Sequence, residues 1–234
     1  MSTFVTRRAA FGIAATAALA SLTACASDIR PLSDPSTPEE QRSYKGELKF
    51  NSYESRGTYV PATSSKKAEN PPKPIPPAKM RAKTTEGMYA AIGFWVASFN
   101  YLILSGDIEP FMAVDINRND IYKAEAFAEL YKSNTGWMYG ADAPVSANLT
   151  EDAPEQVNEH QYRWRATSRY HKKTTIHYTD GRELPMTSLD GNTGDYDFFF
   201  ALKYQDGAWT VWNERVKLAP ISPTSSASSS GASV

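Results

Sequence analysis

Between Thr84 and Gly106 nearly every position is apolar or small. Met88, Ile92, Trp95, Phe99, Leu102 and Ile103 recur at three- and four-residue spacing, and Ala90, Ala91, Gly93, Val96 and Ala97 fill the gaps. The spacing predicts an α-helix, capped at its start by Thr84 or Thr85 and at its end by Gly106. A helix that is apolar all round must be covered on most sides, and this requirement limits the fold more than any other feature. The five tryptophans, 95, 137, 164, 209 and 212, all lie between residues 81 and 220 with the main apolar density. The covering layers are therefore expected in one domain over 81–219.

Further elements follow the helix. Asp107-Ile-Glu-Pro-Phe111 predicts a short second helix. Asn119 or Asp120 caps a third, with Ile121, Ala124, Phe127, Ala128 and Tyr131 turned inward and Gly136 beyond its end. After Trp137 the period changes to two. Tyr162, Trp164, Ala166, Ser168 and Tyr170 alternate with Gln161, Arg163, Arg165, Thr167 and Arg169, a strand with one apolar and one basic face. Residues 174–179, 196–204 and 208–217 read as further strands, with turns at Asp180-Gly181 and Asp206-Gly207. Helices first and antiparallel strands after is the α+β pattern.

The flanks have a different composition. Residues 26–80 hold nine of the fifteen prolines, most densely in Asn70-Pro-Pro-Lys-Pro-Ile-Pro-Pro77. Proline fixes φ and removes a donor, so residues 25–80 read as an extended, disordered tether spanning about 40 Å, with Gly46–Tyr53 able to form a stray strand. Residues 220–234 are a Ser-rich tail with too little apolar area to offset chain entropy, and read as disordered.

Residues 1–24 read as a signal peptide. Arg7 and Arg8 form its positive start and the uncharged, Ala-rich run Ala9–Ala20 its apolar part, too short to span a bilayer. Leu22-Thr-Ala-Cys25 resembles a bacterial lipobox, and Cys25 is the sole cysteine of the chain. That resemblance implies a diacylglyceryl thioether on Cys25, cleavage before it and acylation of the new amine, palmitate being one such chain. The protein is then exported and held at the outer face of the cell membrane, with membrane lipid as its partner through Cys25. The arginine pair leaves both the general and the twin-arginine export routes open. A single cysteine excludes an intrachain disulfide framework and a Cys-rich zinc site. The formal charge is −1, and −3 once Arg7 and Arg8 are removed, so binding to nucleic acid by bulk electrostatics is excluded.

Several short motifs carry a family resemblance. Thr-Thr-Glu-Gly87, the helix ending in Asn100-Tyr101, Ser-Gly-Asp107 and Asp-Gly-Ala-Trp209-Thr-Val211 follow the lipobox and the proline-rich stretch. In this combination the chain resembles an uncharacterised family of actinobacterial lipoproteins with a nuclear-transport-factor-2-like domain. The resemblance covers roughly 75–220. It implies a cone in which N-terminal helices pack on a curved antiparallel sheet, and it implies no reaction.

Motifs for chemistry are sparse. His171 and His177 are too far apart on one strand to share a metal, His160 stands alone, and no metal-binding or cofactor-binding spacing is present. Ser64-Ser-Lys-Lys67 matches the S-x-x-K pattern but lies in the expected tether. Asp190-Gly-Asn-Thr-Gly-Asp195 departs from the calcium-loop pattern. Asp107, Asp115, Asp195 and Asp197 are acid–base candidates by residue type alone. Two binding surfaces remain. One is an apolar pocket between helix and sheet, lined by residues such as Trp95, Phe99, Trp164 and Phe198. The other is the Arg163, Arg165 and Arg169 face, suited to an anionic envelope polymer, a phospholipid headgroup or an acidic protein. The expected function is a non-catalytic binding or assembly module. The alternative is a cone-fold isomerase or hydrolase with an acid–base carboxylate in the pocket.

Overall fold

The central helix forms as α1, Thr85–Ser105. The Thr84 hydroxyl accepts from the Gly87 amide at 3.1 Å, satisfying one of the free donors of the first turn. Gly106, at φ 78°, ends the helix in the left-handed conformation that glycine adopts without strain. The computed structural model describes residues 42–54, 56–115, 118–190 and 196–215. The expectations for the signal peptide 1–24, for Cys25 and for the tail 220–234 lie outside the described residues.

In chain order the strands are β1 (Gly46–Glu47), β2 (Tyr53–Glu54), β3 (Lys73–Pro74), β4 (Gly136–Tyr139), β5 (Val145–Leu149), β6 (Glu155–Asn158), β7 (Gln161–Tyr170), β8 (Thr175–Tyr178), β9 (Glu183–Pro185), β10 (Tyr196–Gln205) and β11 (Ala208–Arg215). Two further α-helices are α2 (Glu109–Met112) and α3 (Arg118–Lys132), and 3-10 turns cover Ala78–Arg81 and Met186–Asp190.

A six-stranded antiparallel sheet covers one side of α1, in the order β1-β5-β7-β10-β11 with β6 also on β7. Its inner face follows the period of two. Tyr162, Trp164, Ala166 and Ser168 of β7 are buried, as are Phe198, Phe200 and Leu202 of β10. Register places Phe200 opposite Trp164 on one side and Asn213 on the other. A small sheet, β4-β8-β9, and α3 complete the shell, α3 packing on α1 and β4.

The rest of the shell is the segment expected to be a tether. From residue 42 onward it lies on the domain. β1 pairs with the edge of β5 (Gly46 with Leu149, Glu47 with Asn148), and the Phe50 ring packs 6.1 Å from Phe94 of α1. Residues 52–75 then form an irregular hairpin. Ile75 donates to the Ser52 carbonyl at 2.8 Å, Val60 and Glu69 exchange two bonds of 2.9 Å, and Thr63 donates to Lys66 at 2.8 Å. The prolines are compatible with this because a covering strap needs few donors of its own. Polar side chains hold it down: Arg56 donates to the Tyr101 hydroxyl at 3.0 Å, and Trp137 Nε1 donates to the Thr63 carbonyl at 2.7 Å. The tether expectation for 25–80 is corrected from residue 42, and the folded domain starts well before 81.

The expected fold class is corrected as well. The structure is mostly antiparallel strand, and a single long helix packs on the multi-stranded sheet, in place of the several N-terminal helices of a cone. Strands also precede that helix. The cause is its all-round apolar surface: α1 takes the sheet on one side, and the strap and α3 are used up covering the other. By length and composition α1 is apolar enough to cross a membrane, but 89% of that stretch is buried, as a core helix requires.

Candidate functional site

Three of the four residues expected to line a pocket meet between α1 and the sheet. Trp95 and Phe99 come from successive turns of α1, their rings 5.7 Å apart, and Phe198 projects from β10. Phe200 closes edge-on against Trp95 at 5.6 Å and against Phe198 at 4.7 Å, and Phe111 packs 5.3 Å from both Trp95 and Phe99. These rings fill the space they enclose. The remaining cavity is about 30 Å3, room for a water or two. Lys123, Ser168, Tyr170, Tyr196 and Asn213 add polar groups to its lining. Trp164 does not line the cavity. Fully buried, it packs edge-on against Tyr44 of the strap at 5.8 Å and donates to the Glu151 carbonyl at 3.0 Å.

Of the candidate acids, Asp115 is the buried one, at 0% exposure. Its carboxylate accepts from Trp95 Nε1 at 2.9 Å, so it fixes the indole that forms the cavity wall. Asp107 accepts from Lys73 of the strap at 3.1 Å and from the Glu109 amide at 3.0 Å, bracing the start of α2. Asp195 lies outside the described residues. Asp197 pairs with Arg165.

That last pair bears on the expected basic face. Arg163 meets Glu155 of β6 in a two-pronged pair at 2.8 and 2.9 Å and lies 5.0 Å over the Phe199 ring. The guanidinium donates both bonds, which lowers the Glu155 carboxyl below its ordinary value. Arg165 donates to Asp197 at 3.2 Å. Arg169, opposite Ser146 in the register, also has a partner. On the outer face of β7, Arg163 and Arg165 thus each meet a carboxylate from a neighbouring strand, so two of the three cations of the expected anionic-partner face are already paired. The acids were not visible as partners because β6 and β10 bring them in across the sheet.

The histidines serve separate places. The His177 ring lies 4.3 Å from Trp137, with Nδ1 3.4 Å from Glu183, which also accepts from the Tyr139 hydroxyl at 3.0 Å. His171 accepts from the Lys173 amide at 3.3 Å. Lys67 of the S-x-x-K stretch is held at the hairpin tip, donating to Asn134 Oδ1 at 2.7 Å and lying 5.8 Å over Tyr131.

Sequence reasoning missed a second hollow, of about 260 Å3, beneath the strap. Pro61, Ala62, Leu104, Tyr139 and Asp142 line it. Beside it the Tyr59 hydroxyl donates to Asp142 at 3.0 Å, and burial together with that carboxylate pushes the phenol well above its ordinary range. Its one sequence signal was the weak alternation at 46–53, which marks the strap as a packed segment.

No curated protein matches the chain. One family profile does, over residues 57–215, from inside the hairpin to the end of β11, and the chain belongs to that family of unknown function (DUF6318).

Proposed function

We propose that this protein is an exported lipoprotein, anchored at the outer face of the cell membrane through Cys25, whose domain is a non-catalytic binding or assembly module. The observation that carries the second half is the filled interior. Where a ligand-sized pocket was expected, aromatic rings leave about 30 Å3, an order of magnitude below the 300 Å3 at which small-molecule pockets begin. The buried carboxylate beside it, Asp115, is bonded to the indole it positions. The hollow beneath the strap, about 260 Å3, also falls below that size, so binding is assigned to the outside of the domain, toward an envelope protein or polymer. The first half is supported by the order of Arg7-Arg8, the apolar run and Leu22-Thr-Ala-Cys25. It is supported further by α1, the one helix among the described residues long and apolar enough to cross a membrane, being used as core. The motif resemblance makes an actinobacterial envelope the setting.

The test is made on protein extracted from its native membranes. Mass spectrometry of the mature N-terminus is expected to find Cys25 carrying a thioether-linked diacylglyceryl group. Cys25→Ala is expected to leave the chain unprocessed or released from the membrane fraction. A mature chain with an unmodified Cys25 thiol would sink the reading.

A further inference from the structure

The first leg of the strap has a two-sided character. Tyr44, Leu48 and Phe50 are half-buried toward the domain, whereas Lys45, Glu47, Lys49 and Tyr53 are exposed at the alternate positions. Lys45 and Lys49 have no ion-pair partner among the described residues, and Arg42 beside them lies over the Tyr44 ring at 5.6 Å. Glu47 is the one carboxylate between residues 42 and 53. At the far end of the leg Tyr53 is 43% exposed, its ring edge-on to Phe50 at 5.1 Å, and the exposed Glu54 follows it.

Cations without an ion-pair partner beside an exposed tyrosine match the chemistry of a bilayer surface, where phosphates accept from lysine and arginine and amphipathic rings sit at headgroup depth. The position fits too. Residues 26–41 are all that separate Cys25 from Arg42, and even fully extended they reach no more than about 60 Å. The leg is thus where an anchoring chain would join the domain. We propose that residues 42–53 form a docking surface for an anionic phospholipid bilayer. Lysine and arginine meet the phosphates, and Tyr53 enters the headgroup layer. The proposal rests on the anchored reading above, in that the anchor supplies the proximity.

The experiment separates the two. Residues 25–234 carrying Cys25→Ser, which cannot be lipidated, are sedimented with phosphatidylglycerol vesicles and with phosphatidylcholine vesicles. Binding is expected to the anionic vesicles only, and to weaken as salt is raised. Lys45→Ala with Lys49→Ala is expected to weaken it about 30-fold, the share that two surface cations supply. Lys172→Ala with Lys173→Ala, the same charge change outside the strap, is expected to leave it unchanged, and thermal melts verify that all variants fold. Equal loss in both double variants, equal binding to phosphatidylcholine, or no binding to phosphatidylglycerol by a folded chain would overturn the docking surface. The mass of Cys25 in cells decides the anchor independently, so either reading can fail while the other stands.

Discussion

The same substitution at two glycines of α1 should change stability in opposite directions. A Cβ on Gly87 would lie 2.1 Å from the Ala82 carbonyl oxygen and 3.1 Å from that of Lys79. Normal contact requires the Ala82 carbonyl to move by about 1 Å, and that oxygen accepts from Trp209 Nε1 at 2.8 Å, a donor on a side chain only 1% exposed. Leaving a buried donor unpaired costs about 1–3 kcal/mol. Disturbing the Thr84 cap on the Gly87 amide adds about 1 kcal/mol. Alanine returns at most about 1 kcal/mol in helix propensity. Gly87→Ala should therefore lose about 1–3 kcal/mol, a fall in Tm of roughly 3–10 °C for a domain of this size. At Gly93 the nearest atom to a new Cβ is Cδ2 of Phe50 at 3.4 Å, an ordinary contact. Gly93→Ala should gain up to about 1 kcal/mol and raise Tm by roughly 2–4 °C. Thermal and urea unfolding, followed by circular dichroism and tryptophan fluorescence, measures both. If Gly87→Ala is as stable as the parent, the close approach of the 3-10 turn to α1 is not as described. If Gly93→Ala is strongly destabilised, the packing of Phe50 on α1 is wrong.

Trp137→Phe keeps the ring on His177 but removes the donor to the Thr63 carbonyl, so it should cost about 1 kcal/mol and speed tryptic cleavage after Lys66 and Lys67; an unchanged time course of digestion would show that the hairpin tip is held by other contacts. Because Arg163 lowers the Glu155 carboxyl, that pair stabilises the fold above the unfolded carboxyl's value of about 4.3, and the contribution fades as pH falls through the lower folded value. Glu155→Gln should thus cost less than about 1 kcal/mol at neutral pH, the pair being half-exposed, and nothing in strong acid; a cost that grows toward low pH would have the wrong sign. Val96→Ile adds one methylene beside the 30 Å3 cavity and should leave stability unchanged or raise it by up to about 0.8 kcal/mol, read by urea unfolding; a loss of about 1–3 kcal/mol would mean that the wall is already full.

What the sequence made legible is what depends on near neighbours along the chain. The caps of α1, the alternation of β7 and the turn before β11 each rest on a few adjacent residues, and each was readable. The gathering of Trp95, Phe99 and Phe198 was also readable, because apolar faces of a helix and a sheet must meet. How much room they would leave was not. That depends on Phe111 and Phe200 arriving from two further elements to complete the packing. Charge pairing failed for a related reason. The partner of Arg163 lies eight residues back, across a hairpin with a register shift, and that of Arg165 lies 32 residues on, in a different strand. A row of arginines in one strand looks basic until the neighbouring strands are in register.

The strap is the more instructive case, because the reasoning about proline was sound and its conclusion was not. Proline excludes a regular strand or helix, and the described residues of 52–75 contain only the two short strands β2 and β3. Irregular backbone can still be fixed when an apolar surface needs cover and a few donors find partners. The central helix supplied that need. Its far side, with Phe94, Tyr101 and Leu104 nearly fully buried, would be exposed without residues 44–80, α3 and the small sheet. An all-round apolar helix thus predicts a covering segment somewhere in the chain. Apolar side chains left unassigned, Tyr44, Leu48 and Phe50, stood upstream at even-numbered positions. Assigning them to the domain shortens the chain left for a tether to residues 26–41. If Cys25 carries lipid as proposed, residues 26–41 alone join the anchor to the domain, and the side of the strap that faces away from α1 is the part of the molecule to probe for membrane contact.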